Sequence, residues 1–180
     1  MFGNYLITAA ILTMAIPIFG FLFSKVLEFL YRVLRSIIGE GLTYFLFNYV
    51  SFPGVYHHEL SHALLATVTG AKVTKIVFFH PSGDHLGYVT YRVRGNIIFQ
   101  AIQRTFTSIA PVFCGLLTSY GLFYLLTSQS HPFWCSGLLI YLIISILLHM
   151  TMSSQDFRVM WKGMPLVYLL VLVLVWLFDN

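Results

Sequence analysis

The chain has 180 residues, of which 58% are hydrophobic and only 9% are charged. Because an ordinary soluble domain carries about 25% charged residues, this composition predicts an integral membrane protein and excludes a soluble one. The net charge of +4 does not indicate nucleic-acid binding, since basic residues beside membrane spans serve to orient them. We expect one domain, residues 1–180: a mainly α-helical, multi-pass bundle in the lipid bilayer.

The first apolar run extends from about Tyr5 to Phe23 and is long enough to cross a hydrocarbon core of about 30 Å. Pro17 lies inside this run, where neighbouring helices can tolerate it. The next segment, 24–40, carries charges and has apolar residues at helical spacing. It is either an amphipathic helix on the membrane surface or a helical extension of the first span.

Two short apolar arms follow. Residues 42–50 are apolar and aromatic, and Ser51-Phe52-Pro53-Gly54 interrupts the chain after them. From Val55 to Thr69 there is neither Pro nor Gly, and Gly70 fits a helix C-cap, so we predict a helix that ends there. Because both arms are shorter than the roughly 20 residues of an ordinary span, they predict two short crossings or a re-entrant hairpin.

The second arm contains His-Glu-x-x-His, with His58 and His62 as its histidines. Residues four apart share one face of a helix, so both imidazoles can bind one metal ion. Glu59 is rotated by roughly 100° from His58, which suits it to take a proton from a metal-bound water. By composition alone the motif should occur by chance roughly 0.004 times in the chain. We therefore predict zinc-dependent hydrolysis with Glu59 as the catalytic base, rather than histidines packed in an apolar helix.

A small β-hairpin is predicted between the motif helix and the next span. Residues 72–79 and 87–93 are rich in β-branched and aromatic side chains, and a turn cluster lies between them. The hairpin either packs on the helices or offers an edge strand that pairs with an extended substrate.

Three further spans are expected after the hairpin: 96–126, 133–150 and 165–178. With the first run they make about four full spans. The ten Lys and Arg residues all fall in three stretches: 25–35, 72–104 and 158–162. The positive-inside rule places these stretches, and with them the mouth of the active site, on the cytoplasmic side.

A catalytic zinc usually takes three protein ligands and a water. Of the six acidic residues, Asp156 is the best third ligand, because it directly follows a predicted span and ionisable residues near the membrane interior are functional candidates. Its alternative role is a surface carboxylate that pairs with Arg158 or Lys162. Three histidines are weaker ligand candidates: His149, His80 and His85. His57 adjoins the motif but points to a different helix face.

This arrangement resembles the site-2 protease family of intramembrane zinc metalloproteases. The likeness rests on His58-Glu59-Leu60-Ser61-His62-Ala63 and on the order of elements from about residue 40 to 165: motif helix, hairpin, two spans and an Asp. The usual Asn-Pro-…-Asp-Gly segment of the family is absent, and Met152-Ser153-Ser154-Gln155-Asp156 stands in its place. There is no room for a PDZ domain, so the chain looks like a compact, divergent member.

By that resemblance, His58, His62 and Asp156 hold one Zn²⁺, and Glu59 activates the water and then protonates the leaving amine. The resemblance implies a transmembrane protein or peptide as substrate, cut in or near its membrane segment. It is also compatible with a regulatory membrane partner.

Two interpretations from other functional classes remain. One is a catalytically silent scaffold of the same fold that binds partner helices. The other is a small metal or proton transporter, since intramembrane His and Asp residues also line ion paths. The first and last spans carry no ionisable side chains apart from Tyr5 and Tyr168, which argues against a transporter.

Overall fold

A computed structural model describes residues 2–78, 86–128 and 130–178. The described part of the chain is mainly helical and contains a small antiparallel β-hairpin, which confirms the predicted fold class at this level. In chain order the elements are α1 (Phe2–Ile38), α2 (Glu40–Phe45), a π-helix (Leu46–Val50), α3 (Phe52–Val68), β1 (Lys72–Val77), β2 (Tyr88–Arg92), α4 (Ile97–Ser128), α5 (Phe133–His149) and α6 (Ser154–Phe178).

Three helices, α1, α4 and α6, are long and apolar enough to cross a membrane. The apolar helix α5 has 17 residues and is shorter than the roughly 20 that an ordinary span needs. These helices support the membrane protein that the composition predicts. Four full spans, the sidedness of the basic stretches and the path of residues 37–70 through the bilayer stay predictions.

Helix α1 continues without a break through residues 24–38, so this segment is the helical extension and not a separate surface helix. No Gly or Pro lies between Phe23 and Ile38, and the helix ends where Gly39 adopts a φ of 82°. At 1.5 Å per residue, α1 is about 55 Å long. That length exceeds the hydrocarbon thickness of about 30 Å, which accounts for the charged residues in its last turns.

Helix α4 packs against α1, α3, α5 and α6. Its buried positions are small or polar: Ala101, Gln103, Thr105, Thr107, Ser108, Ala110, Pro111, Val112 and Gly115. Such residues allow close helix approach, as expected for packing within a membrane. At Gly163 of α6, for example, a Cβ atom would overlap the Ala101 carbonyl. Val112, Met152, Met160 and Met164 form a buried hydrophobic core.

The hairpin lies against α3. Strands β1 and β2 pair in antiparallel register from Lys72↔Arg92 to Val77↔Tyr88, with an irregularity between Val73 and Lys75. The aromatic rings of Tyr56 and Phe78 stack with centroids 4.7 Å apart and attach the hairpin to α3. Both strands are slightly shorter than predicted, and the turn cluster at 81–85 lies outside the described residues.

Candidate metal centre

The two motif histidines lie one turn apart on α3. The helix begins with Pro53 in its first turn and runs through Val68, and Gly70, with a φ of 89°, follows it. The Nε2 atoms of His58 and His62 face each other at 3.2 Å. His62 is buried, with 8% of its surface exposed. The helical spacing of four residues therefore brings both imidazoles to one point, as the motif predicts.

A backbone carbonyl fixes the ring of each histidine. His58 Nδ1–H donates to the carbonyl of His149 at 2.7 Å, and His62 Nδ1–H donates to that of Thr107 at 2.7 Å. Because a carbonyl only accepts, the proton of each neutral ring is on Nδ1, and both Nε2 atoms present lone pairs. Carbonyl partners of this kind orient histidines that bind metals.

Asp156 completes the group from the first turn of α6. Its Oδ2 accepts hydrogen bonds from the Ser153 N–H at 2.8 Å and the Ser153 hydroxyl at 2.7 Å. The Asp156 N–H in turn donates to Ser153 Oγ at 3.1 Å, which makes a reciprocal capping box. The other oxygen, Oδ1, lies 3.6 Å from His62 Nε2. One carboxylate oxygen is thus anchored and the other faces the histidines.

The ligand atoms of His58, His62 and Asp156 lie within 4.8 Å of one another, so this group can hold a metal ion. A tetrahedral ion bound at 2.0–2.1 Å separates its ligand atoms by about 3.4 Å. The separations of 3.2 Å between the two nitrogens and 3.6 Å from nitrogen to carboxylate oxygen bracket that value. Two of the three separations therefore suit a metal ion, and the third, between His58 and Asp156, is within 4.8 Å.

The three residues and Glu59 line one cavity of about 650 Å³. Glu59 is buried, with 6% of its surface exposed. A Cβ atom on Gly87 would lie 2.8 Å from Glu59 Cγ and 3.0 Å from its Oε1. Only a glycine fits at this point between β2 and the carboxylate. The lining continues along β2 through Tyr88, Val89, Thr90 and Tyr91.

Tyr91 places a phenol in the lining of the same cavity. Burial, and then the nearby charge of Asp156, raise the pKa of Tyr91 to about 12, against smaller lowering effects of Arg104 and the hydroxyls of Ser108 and Thr107. A group with this pKa stays protonated and neutral near pH 7. Tyr91 is therefore a hydrogen-bond donor beside the cluster and not a further negative charge.

Two other candidate histidines, His149 and His57, bond through their rings to residues outside the three-ligand group. The His149 ring contacts Ser51 Oγ at 2.9 Å through Nε2, so His149 serves the site through its carbonyl. His57 contacts Thr118 Oγ1 at 3.0 Å, on a different face of α3. His80 and His85 lie outside the described residues. Within the described ranges, neither Arg158 nor Lys162 pairs with Asp156.

Sequence reasoning missed three residues around this site. Ser153 was detectable, because Ser-x-x-Asp at 153–156 is a capping-box pattern. Thr107 contributes its backbone carbonyl, for which no side-chain signal exists. Asn48 lines the cavity, and its only signal is an amide within the apolar segment 42–50.

Comparison with known proteins adds no assignment: no family model, no curated protein and no solved structure matches this chain. The resemblance to the site-2 protease family therefore rests on the motif and the order of elements alone.

Proposed function

We propose that this protein is an intramembrane zinc metalloprotease, a compact and divergent member of the site-2 protease type. It hydrolyses a peptide bond in or near a transmembrane segment of a membrane-protein substrate. The observation that carries the proposal is the convergence of two Nε2 lone pairs, one Asp156 oxygen and the Glu59 side chain on one cavity.

Zinc is the metal we assign to His58, His62 and Asp156. Two imidazoles and one carboxylate form the three-ligand set of a catalytic zinc site, which keeps one position open for water. When bound, zinc supplies a lowered pKa for the coordinated water and polarises a substrate carbonyl. The capping box holds Asp156 and the two carbonyls hold the histidines, so the chain provides the outer hydrogen bonds that such a site needs.

Glu59 is the proton carrier of the proposed reaction. It shares the cavity with the ligands, and its position one residue after His58 directs it beside the ligand face. Among the described residues no group donates a hydrogen bond to its carboxylate, which leaves both oxygens available. Glu59 takes a proton from the attacking water and gives it to the nitrogen of the leaving amine.

The helices around the cavity support a membrane-protein substrate. Helix α4 holds Thr107, the carbonyl partner of His62, and α6 holds the ligand Asp156; both helices can cross a membrane. A transmembrane helix shields its amides in internal hydrogen bonds, so the cut segment must unwind. Strand β2 lines the cavity and, as an edge strand, can pair with an extended peptide. Substrates with helix-breaking residues near the cut are therefore favoured.

The test compares wild type with Glu59→Gln in reconstituted bilayers, with a reporter membrane segment that carries a central helix-breaking pair. We expect at least about 100-fold slower cleavage by Glu59→Gln, with about one zinc per chain in both proteins. Glu40→Gln is the matched control. Glu40 is exposed, does not line the cavity, and forms an ion pair with Arg35 at an N–O distance of 2.9 Å. Equal cleavage by Glu59→Gln and wild type would reject the proposal, and a zinc-loaded wild type that cuts no segment would indicate a silent scaffold.

A further inference from the structure

A π-helix of five residues, Leu46–Val50, directly precedes the motif helix. The hydrogen bond from the Ser51 N–H to the Leu46 carbonyl, at 3.1 Å, spans five residues and closes it. Ser51 Oγ also contacts His149 Nε2, which ties this turn to α5. Short π-helices are rare and are frequently found at functional sites.

Asn48 is the side chain that this π-helix brings to the cavity of His58 and Glu59. Its neighbours in the π-helix are apolar or aromatic: Leu46, Phe47, Tyr49 and Val50. A carboxamide within an apolar segment of a membrane protein is costly unless its polar atoms find partners. This cost indicates a role for Asn48 beyond packing.

One of the four hydrogen-bonding positions of Asn48 is already used. Its Nδ2 donates to the Tyr44 carbonyl at 2.8 Å, and this bond fixes the plane of the amide. An asparagine side chain has two N–H donors and a carbonyl acceptor. No other hydrogen bond joins this amide to the described residues, so one N–H and Oδ1 remain for another molecule. Together they match the N–H and C=O of one residue in an extended segment, which point to the same side of the chain.

We propose that Asn48 binds the peptide backbone of an extended substrate segment in this cavity. The inference rests on the proposed function and adds a substrate-binding residue and a selection rule to it. A helical segment has its backbone N–H and C=O groups paired internally, whereas an extended segment has them free. Asn48 therefore selects for unwound segments. It does so from the π-helix, an element separate from β2.

The experiment uses zinc-loaded Glu59→Gln protein in bilayer discs, so that the probe is bound but not cut. The probe is a fluorescent peptide of about 22 apolar residues with a central Asn-Gly pair, prepared as an all-amide form and as single backbone esters. An ester replaces one N–H with oxygen and removes one donor to Asn48 Oδ1. We expect one ester position to weaken binding about 5- to 10-fold. Asn48→Leu, which removes both hydrogen bonds, should weaken the all-amide peptide at least as much as the ester and abolish the effect of that ester.

Leu46→Ala is the matched control, because Leu46 belongs to the same π-helix and does not line the cavity. It should bind the all-amide peptide within about twofold of the parent and keep the ester effect. Two results would overturn the inference. One is that Asn48→Leu binds the all-amide peptide as tightly as the parent protein; the other is that every ester weakens binding to Asn48→Leu by the same factor as it weakens binding to the parent. Zinc content of each variant reports whether the site has folded.

The inference and the proposed function fail in different ways. If wild type cuts the peptide and Asn48→Leu binds it as tightly as the parent, the inference alone is wrong. If binding depends on Asn48 but wild type cuts nothing, protease activity is wrong and backbone binding remains. If the peptide does not bind at all, both are wrong.

Discussion

The Nε2 atoms of His58 and His62 lie 3.2 Å apart, while each Nδ1–H donates to a backbone carbonyl. Two neutral imidazoles in this arrangement direct lone pairs at each other, which is unfavourable unless a cation lies between them. The Asp156 carboxylate lies beside the pair and supplies a negative charge to the same point. A bound metal ion satisfies all three groups at once, and this is the physical basis of the account.

Ser153→Ala should weaken the metal site without removing a ligand. The variant loses the hydroxyl that donates to Asp156 Oδ2 at 2.7 Å, so the carboxylate is held less firmly. Loss of such an outer hydrogen bond typically costs 10- to 100-fold in metal affinity, and loss of the N-cap costs about 1 kcal/mol of stability. Competition with a fluorescent zinc chelator measures the affinity.

Ser154→Ala is the matched control for this prediction. Ser154 is the next residue, is exposed, and is not part of the capping box. We expect its zinc affinity to equal that of wild type. Equal affinities for Ser153→Ala and wild type would show that the capping box does not position Asp156 for metal binding.

Gly87→Ala should slow hydrolysis while zinc stays bound. The added Cβ would lie 2.8 Å from Glu59 Cγ and 2.8 Å from the Val77 carbonyl, so either the carboxylate or β2 must shift. A misplacement of about 1 Å can cost on the order of 100-fold in rate. Reporter cleavage and zinc content measure the two effects separately. Gly137→Ala, at an exposed position with nothing within 4 Å, should match wild type, and an unaffected Gly87→Ala rate would contradict the close approach.

Gly54→Ala should destabilise the contact between α3 and α5. A Cβ atom there would overlap the Ser145 carbonyl and lie 2.6 Å from the His149 ring. The Gly54 N–H also donates to Ser145 Oγ at 2.8 Å, in the same contact. Overpacking typically costs about 1–3 kcal/mol, measurable by unfolding in mixed detergent. The His149 carbonyl accepts the hydrogen bond from His58, so zinc affinity should fall as well. Unchanged stability of Gly54→Ala would mean that α3 and α5 are not packed this closely.

Tyr91→Phe should leave the pH dependence of cleavage unchanged below pH 10. Burial is the largest cause that raises the pKa of Tyr91 and does not depend on the charge of Asp156, so the phenol keeps its proton as the pH increases. Tyr91 therefore cannot produce a basic limb in that range. Cleavage rates from pH 6 to 10 for both proteins check this, and a basic limb that disappears in Tyr91→Phe would show that the phenol ionises earlier.

The sequence predicts much of the site because the chemistry depends on helical spacing. His58, Glu59 and His62 need only a continuous helix to meet at one point, and the run from Val55 to Thr69 has no helix breaker. Asp156 could be proposed because few acidic residues are available. Asp156 lies in the first turn of α6. The capping box with Ser153 places it there, and composition and hydropathy do not reveal such a pattern.

Other features depend on tertiary contacts and have no local signal. The π-helix at Leu46–Val50 contains neither Gly nor Pro and is tied to the distant His149. The carbonyls of Thr107 and His149 that orient the two motif histidines belong to other helices, and any residue could provide a carbonyl. The sequence does not determine the length of α1, because a charged helical segment suits either a surface helix or an extension of the span.

The most direct test of the central claim is the zinc content per chain of purified wild type, His62→Ala and Asp156→Ala. We predict about one zinc in wild type and loss of the metal in both variants, since each removes one of three ligands. Retention of zinc by Asp156→Ala would contradict the ligand set. No zinc in wild type, even after zinc is supplied, would contradict the metalloprotease itself.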